Sequence, residues 1–264
     1  MKILIGTIFC QNQNNIDNEK WHQLQNFFLK KTNTCYDRII TTNGYVNNPS
    51  FLKYCKILDS NPEKGTKAYA AQIEIIINNF KENKNNYDGF LILDSDAFPV
   101  KNNWLELLIA EMKKYNSWYA SPSRIENFDH WPHMCCLFIL REHIEKEILN
   151  LKGTKYLDLN GIEQIEIGAG NKTHHENKQI WLPLLRTNIW NPHPIVAGIY
   201  SHLFYHHGAG SRSPVFRVSN SLLYKERKIL TEDVIKEKLF KNPKKFINEL
   251  TGNYELTDNY VNFL

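Results

Sequence analysis

Cysteine is scarce in this sequence, and the few cysteines are not spaced for a shared role. The chain has 264 residues and five cysteines, with no Cys-x-x-Cys pair among them. An odd number without paired spacing argues against a disulfide scaffold and favours a reducing compartment. We therefore expect a cytoplasmic protein whose fold does not depend on disulfides.

Long apolar runs and a strong charge are missing as well. No segment approaches the roughly 20 apolar residues of a membrane span. The short run Ile3–Phe9 is followed by no small-residue cleavage site, so it is interpreted as a first buried strand and not as a signal peptide. The net charge of +4 permits an anionic partner without requiring nucleic acid. We expect a soluble protein that does not bind nucleic acid.

What the sequence does contain is typical of a globular α/β protein. Hydrophobic residues make up 42% of it and aromatic residues 12%, enough to bury a core in a chain of this length. Apolar runs alternate with segments of helical periodicity, which predicts a mostly parallel sheet with helices on its faces. The predicted strands of the first half are 2–9, 36–42 and 90–96. The predicted helices there are 21–30, one from Thr66 and one capped by Asn102 or Asn103.

The second half of the chain is less regular. Strands are predicted over 118–121, 135–140 and 180–185. A helix is expected after Arg141. The last forty residues are predicted to be helical and rich in lysine, with Asn242 and Pro243 starting a helix that Gly252 ends. A solvated lysine face is one interpretation of this region, and a peripheral contact with anionic lipid is the other.

The most informative stretch is an apolar run that ends in Asp94-Ser95-Asp96. Residues i and i+2 of a strand face the same side, so both carboxylates are expected at the carboxyl end of a buried strand. Open α/β sheets bind ligands at that end. Two adjacent carboxylates repel each other unless a cation lies between them, and Mg²⁺ and Mn²⁺ prefer oxygen ligands. The pair predicts a divalent metal site, with a solvated turn as the alternative.

A second motif, His207-Gly208-Ala209-Gly210-Ser211-Arg212, closes a later apolar segment. Imidazole is a competent ligand for Mn²⁺, and the glycines allow close approach of the backbone. Arginine binds phosphate through a bidentate fork. His207 and Arg212 together suit a metal-bound diphosphate, whereas an exposed histidine beside a glycine turn is the alternative.

With both motifs in place, the chain resembles metal-dependent glycosyltransferases of the GT-A fold. Asp94-Ser95-Asp96 resembles their DxD motif, and the segment from His207 to Arg212 resembles their late HxxG motif with a following basic residue. The resemblance implies a Rossmann-like, mostly parallel sheet. It also implies that Asp94, Asp96 and His207 bind Mn²⁺ or Mg²⁺, and that Asp94 and Ser95 contact the nucleotide-sugar.

A domain organisation and a set of partners follow from the resemblance. One GT-A-like catalytic domain is expected over 1–225, with a nucleotide-binding half over 1–100 and an acceptor half over 101–225. A helical basic tail is expected over 226–264. The expected donor is a nucleotide-sugar, with UDP as the expected nucleotide, and the expected acceptor is a glycan or a lipid-linked hydroxyl group.

Further residues receive roles from the same resemblance. Thr7 and Asn43, which follow the first and second strands, are expected near the base or the ribose of the donor. Lys67 lies near the start of a helix, where the positive end of the helix dipole favours phosphate. Arg212 is expected to close onto the diphosphate.

An inverting transfer also needs a general base for the acceptor hydroxyl group. Asp158, just before a glycine turn, is the proposed base, with Glu163 and Glu166 as alternatives. The loop over 128–133 offers aromatic ring faces suited to sugar stacking, with an ordinary packed loop as the alternative. Two other functions stay open at this point: a phosphotransferase or phosphatase with an Asp-x-Asp metal site, and a noncatalytic nucleotide-sugar-binding module.

Overall fold

The computed structural model describes residues 1–10, 17–43, 56–60, 66–125, 131–146, 149–151, 153–157, 163–193, 195–208 and 230–252. Its helices are α1 (Asp17–Lys31), α2 (Thr66–Glu82), α3 (Trp104–Tyr115), α4 (Glu232–Lys241) and α5 (Pro243–Thr251). Its first six strands are β1 (Lys2–Cys10), β2 (Cys35–Asn43), β3 (Lys56–Ser60), β4 (Gly89–Asp94), β5 (Ala97–Pro99) and β6 (Tyr119–Pro122). The other six are β7 (Cys136–Leu140), β8 (Gly153–Leu157), β9 (Glu163–Ile167), β10 (Trp181–Leu184), β11 (Gly198–Tyr200) and β12 (Phe204–His206).

The largest sheet has seven strands in the order β10-β6-β7-β4-β1-β2-β3. β1 is parallel to β2 and β4, β2 is parallel to β3, and β10 is parallel to β6. Only β7 runs antiparallel to its neighbours within this sheet. The predicted α/β class with a mostly parallel sheet is therefore confirmed, and β1, β2 and β4 end at the same edge.

Alternate residues of the central strands enter two different apolar layers. On β4, Leu91 and Leu93 pack in one layer with Trp104 of α3. Phe90 and Ile92 pack in the other layer, with the isoleucines of α2. A strand covered on both faces is apolar at every position, which explains why the polar residues begin only where β4 ends.

The close approach of α2 to β1 depends on Gly6. A Cβ at this position would lie 2.3 Å from Cγ2 of Ile76 and 3.1 Å from the ring of Phe80. The glycine therefore lets the helix lie against the strand. Because α2 begins at Thr66, on the side where β4 ends, its first turns lie near the Asp-x-Asp segment.

A second, antiparallel sheet has the order β11-β12-β5, and a third sheet pairs β8 with β9. The three-stranded sheet packs with the C-terminal helices in an apolar cluster that includes Trp21 of α1, Phe98 of β5, Leu239 of α4 and Phe246 of α5. The ring of Phe98 also stacks on Phe28 at a centroid distance of 4.0 Å. The helices that the sequence analysis assigned to a tail thus form part of a shared core.

The predicted start and end of the last helix are confirmed. The side chain of Asn242 accepts a hydrogen bond from the backbone N–H of Lys245 at 3.1 Å, and Pro243 is the first helical residue. Gly252 ends the helix with φ of 84°, a left-handed conformation that favours glycine.

Other sequence predictions are wrong. The strand predicted over 90–96 ends at Asp94, because Ser95 and Asp96 form a turn before β5. After Leu140, the described residues form a 3₁₀ turn, Arg141–His143, in place of the expected helix. The strands β3, β5, β8, β9, β11 and β12 were not predicted. Every helix among the described residues is too short or too polar to cross a bilayer.

Candidate functional site

The Asp-x-Asp segment connects the two larger sheets. β4 belongs to the seven-stranded sheet, and β5 begins three residues after it in the three-stranded sheet. The backbone N–H of Asp94 donates to the carbonyl oxygen of Cys135 at 2.9 Å, which ties the end of β4 to the start of β7. Ser95 and Asp96 are both buried. The turn is therefore held inside the protein, at the edge where the parallel strands end.

A histidine more than a hundred residues later in the sequence lies beside these two carboxylates. β12 pairs with β5 so that His206 lies opposite Ala97, one residue beyond Asp96. The imidazole Nε2 of His206 is 3.6 Å from Oδ1 of Asp96 and 3.8 Å from Oδ2 of Asp94. One possible ligand atom from each residue lies within 4.8 Å of the other two.

The adjacent His207, to which the sequence analysis assigned this position, faces elsewhere. Its Nδ1 is 2.9 Å from the hydroxyl oxygen of Tyr205, and its Nε2 is 3.9 Å from Oε1 of Glu232 in α4. Its ring packs against Trp21 at 4.8 Å between centroids. Consecutive residues of an extended segment face opposite sides, which is why His206 and not His207 lies beside the two carboxylates.

A tyrosine fixes one oxygen of the Asp94 carboxylate. The hydroxyl of Tyr69, in the first turns of α2, donates to Oδ1 of Asp94 at 2.6 Å. Burial, followed by the negative charge of Asp94, raises the pKa of Tyr69 well above its usual value, so the phenol keeps its proton. The other oxygen, Oδ2, is the one that faces His206. Tyr69 thus orients the carboxylate toward the site.

Burial determines the protonation of the groups around His206. It opposes the charged form of His206, but a hydrogen bond to the Cys135 sulfur and the negative charge of Asp96 outweigh it, and the pKa of His206 is raised. Burial raises the pKa of both Cys135 and Cys136, so these cysteines are neutral thiols at neutral pH. The electrostatics of the site are therefore set by two carboxylates and one imidazole.

Three further polar residues extend the site beyond His206. The ring of His133 lies 5.7 Å from that of His206. Nε2 of His133 is 2.9 Å from Nη1 of Arg124 and 3.8 Å from Oε1 of Glu166. The charge of Glu166 also contributes to the raised pKa of Tyr69. A cation and a third carboxylate therefore surround His133, whose ring neighbours that of His206.

The other residues named by the sequence analysis are placed as follows. Thr7 is fully buried beneath the edge of the sheet. Asn43 is the last residue of β2 and Lys67 is the second residue of α2, but their side chains are outside the described part. Asp158 and Arg212 lie outside the described residues altogether.

The three clustered side chains fit a divalent cation. Carboxylate oxygens suit Mg²⁺ and Mn²⁺, and an imidazole nitrogen is a competent ligand for Mn²⁺. Ligand atoms bound about 2.1 Å from one ion lie roughly 3 to 4 Å from each other. The distances from His206 to the two carboxylates fall in this range.

Comparison with known proteins gives only distant likenesses. No family model matches the chain, and no curated protein matches it. Among solved structures, mouse xyloside xylosyltransferase 1 has a TM-score of 0.45 and 8% identity, over 70% of this chain and 85% of that one. A putative nucleotide-diphospho-sugar transferase from Desulfovibrio desulfuricans has a TM-score of 0.41 and 12% identity, over 70% and 81%.

A mannosyltransferase from Pyrobaculum calidifontis, in complex with GDP-Man and Mn²⁺, is also similar. Its TM-score is 0.38 and its identity 9%, over 53% of this chain and 44% of that one. This chain covers less than half of the mannosyltransferase.

Behind the Asp-x-Asp turn lies a buried polar network. Arg38 of β2 donates to Oγ1 of Thr7 at 3.2 Å, and it also donates to the side-chain oxygens of Gln25 and Asn26. The amide nitrogen of Asn26 is 2.7 Å from Nε2 of His22. This nitrogen of His22 accepts the bond, which requires a neutral imidazole.

The network makes the stability of the protein sensitive to acid. Burial, followed by the charge of Arg38, lowers the pKa of His22 to about 3. The unfolded chain therefore binds a proton on His22 more readily than the folded protein does. The contribution of neutral His22 to the free energy of unfolding is complete above pH 6.5 and is lost as pH falls toward 3. We expect a slope of at most about 1.4 kcal/mol per pH unit from His22 alone. Denaturant unfolding of wild type and His22→Gln between pH 7 and 4 measures it, and equal slopes would contradict the prediction.

Proposed function

We propose that this protein is a metal-dependent glycosyltransferase that uses a nucleotide-sugar donor. The observation that supports this most is the convergence of Asp94, Asp96 and His206 at the edge where the parallel strands end. Open α/β sheets bind nucleotides at that edge. Two carboxylates and one imidazole that converge there suit a divalent ion that binds a diphosphate.

We propose Mn²⁺ as the ion, because an imidazole ligand suits it better than it suits Mg²⁺. When bound, the ion stabilises the negative charge that develops on a diphosphate leaving group. Asp96 and Oδ2 of Asp94 would hold it together with Nε2 of His206. Tyr69 keeps Oδ1 of Asp94 occupied, so that the carboxylate presents its other oxygen.

Charged residues around these ligands suggest how the rest of the donor is bound. Arg124 contacts His133, the neighbour of His206, and we propose that its positive charge offsets the negative charge of the phosphates. Arg212 and Lys67 stay predictions for phosphate contacts, as does Asn43 for the base or ribose. Thr7 is buried in the polar network behind the Asp-x-Asp turn, and we propose that it supports this turn without contacting the donor.

The acceptor is proposed to be a glycan or a lipid-linked hydroxyl group. Among the carboxylates that the sequence offered as a general base, Glu163 forms an exposed ion pair with Lys155 at 2.8 Å. Glu166 instead lies beside His133, whose ring is 5.7 Å from that of His206. We therefore propose Glu166 as the base of an inverting transfer, with Asp158 as the other candidate.

A peripheral membrane contact through the C-terminal helices stays part of the proposal. Lys238, Lys241 and Lys245 are exposed on α4 and α5, where anionic lipid could reach them. Lys236 does not belong to this face, because it is buried with its Nζ 3.2 Å from Oε1 of Glu232.

A screen of nucleotide-sugars tests the proposed activity. Purified protein is incubated with UDP- and GDP-linked sugars, with Mn²⁺ or with a chelator, and free nucleoside diphosphate is measured. We expect slow hydrolysis of at least one donor that requires Mn²⁺, since water replaces the absent acceptor. Metal-dependent release of phosphate from phosphomonoesters would instead favour a phosphatase. Binding of a nucleotide-sugar without turnover would favour a binding module.

A further inference from the structure

Gln25 of α1 lies directly behind the Asp-x-Asp turn, although it contacts neither carboxylate in the described hydrogen bonds. Its side chain is fully buried. Its Nε2 donates to the carbonyl oxygen of Asp94 at 2.8 Å and to that of Ala97 at 2.7 Å. These two carbonyl groups are on either side of Ser95 and Asp96. One amide group therefore bridges the entry and the exit of the turn.

The orientation of this amide is fixed from the other side. Its Oε1 accepts from the hydroxyl of Thr7 at 3.3 Å and from Nη2 of Arg38. Arg38 has donors only, so the oxygen of Gln25 must face it and the NH₂ group must face the two carbonyls. The buried cation of β2 thus holds the amide in the one orientation that bridges the turn.

We propose that Gln25 is a positioning residue that sets the spacing of the Asp94 and Asp96 carboxylates for the metal. A buried carbonyl without a donor loses the free energy of a hydrogen bond, so two such groups would drive the turn to rearrange. Groups that orient metal ligands typically change metal affinity about 10- to 100-fold when they are removed. The role of Gln25 in metal binding rests on the proposed function, whereas its role in holding the turn does not.

The substitution Gln25→Glu tests this with almost no change of shape. The new carboxylate can pair with Arg38, but it replaces the NH₂ donor with an oxygen that faces two carbonyl oxygens. Gln25→Met is a second variant, which removes the donor without adding a charge. We expect both to weaken the binding of Mn²⁺ alone by about 10- to 100-fold in calorimetry.

Asn171 offers a matched control. It is also buried, its Nδ2 donates to the carbonyl oxygen of Asn150 at 3.0 Å, and its Oδ1 accepts from the N–H of the same residue at 2.7 Å. Asn171→Asp therefore removes a buried amide that bridges backbone groups without touching the turn. We expect it to lower stability while Mn²⁺ affinity stays at the wild-type value.

Hydrogen exchange over residues 93–98, measured without metal, separates this inference from the proposed function. We expect faster exchange in both Gln25 variants and unchanged exchange in Asn171→Asp. Wild-type affinity for Mn²⁺ in the Gln25 variants, whether or not exchange rises, would overturn the positioning role. If wild-type protein binds no Mn²⁺, the metal part of the proposed function fails. Exchange alone then decides whether Gln25 holds the turn, and unchanged exchange would overturn the inference as well.

Discussion

Asp96→Asn is expected to abolish the metal-dependent binding of a nucleotide-sugar while the fold stays intact. Asp96 is buried, and one oxygen of its carboxylate faces His206 at 3.6 Å. Asparagine keeps the shape but removes the negative charge, which is the main attraction for a hard cation. Because even groups behind a ligand change affinity about 10- to 100-fold, we expect loss of a ligand to cost at least about 100-fold. Calorimetry of UDP binding with and without Mn²⁺ measures it.

Asp88→Asn is the matched control for this prediction. Asp88 precedes β4, at the opposite end of the strand from Asp94, where it accepts a bond from the backbone N–H of Lys2 at 2.9 Å. The same chemical change there should leave Mn²⁺ and UDP affinity unchanged. Undiminished UDP affinity in Asp96→Asn, with normal unfolding behaviour, would remove the metal site from the proposal.

The second large effect is expected to separate two neighbouring histidines. His206→Gln should lower the affinity for Mn²⁺ by at least about 100-fold, because it removes the imidazole nitrogen that faces both carboxylates. His207→Gln should leave that affinity within about twofold of wild type. Its ring instead lies between Tyr205, Trp21 and Glu232, so its loss should lower the stability of the protein. Titration of each variant with Mn²⁺, followed by the paramagnetic signal of the free ion, gives both values.

The pair of variants can also contradict the structure-based assignment. If His207→Gln loses Mn²⁺ affinity and His206→Gln keeps it, the ligand is the residue that the sequence motif suggested. Thermal unfolding of both variants without metal serves as the control, since a variant that does not fold reports nothing about a ligand.

The sequence predicted the sheet better than the site because the two depend on different information. The alternation of strands and helices, the cap at Asn242 and the end at Gly252 are local patterns, and the structure confirms them. Apolar runs such as Phe90–Leu93 identify a strand buried on both faces. They do not reveal where the strand ends, which is why the turn at Ser95 was missed.

The choice between His206 and His207 could not be made locally. Both follow the same apolar segment, and only the register of β12 against β5 decides which one faces the carboxylates. That pairing joins positions more than a hundred residues apart. Tyr69 and Gln25 were missed for a related reason, because their partners are determined by how α1 and α2 pack on the sheet. The histidine doublet itself was the signal that could have suggested His206.

The shared core of the C-terminal helices bears on when the candidate site and its surroundings form during synthesis. Chains grow at about 5 to 20 residues per second, so residue 250 follows Asp96 after roughly 8 to 30 seconds. His206 follows Asp96 after only roughly 6 to 22 seconds, and until then β5 lacks β12 and the two carboxylates lack their neighbouring imidazole. Leu239 and Phe246, which share an apolar cluster with Phe98, are made later still. The three candidate ligands can therefore come together before the cluster that packs behind β5 is complete.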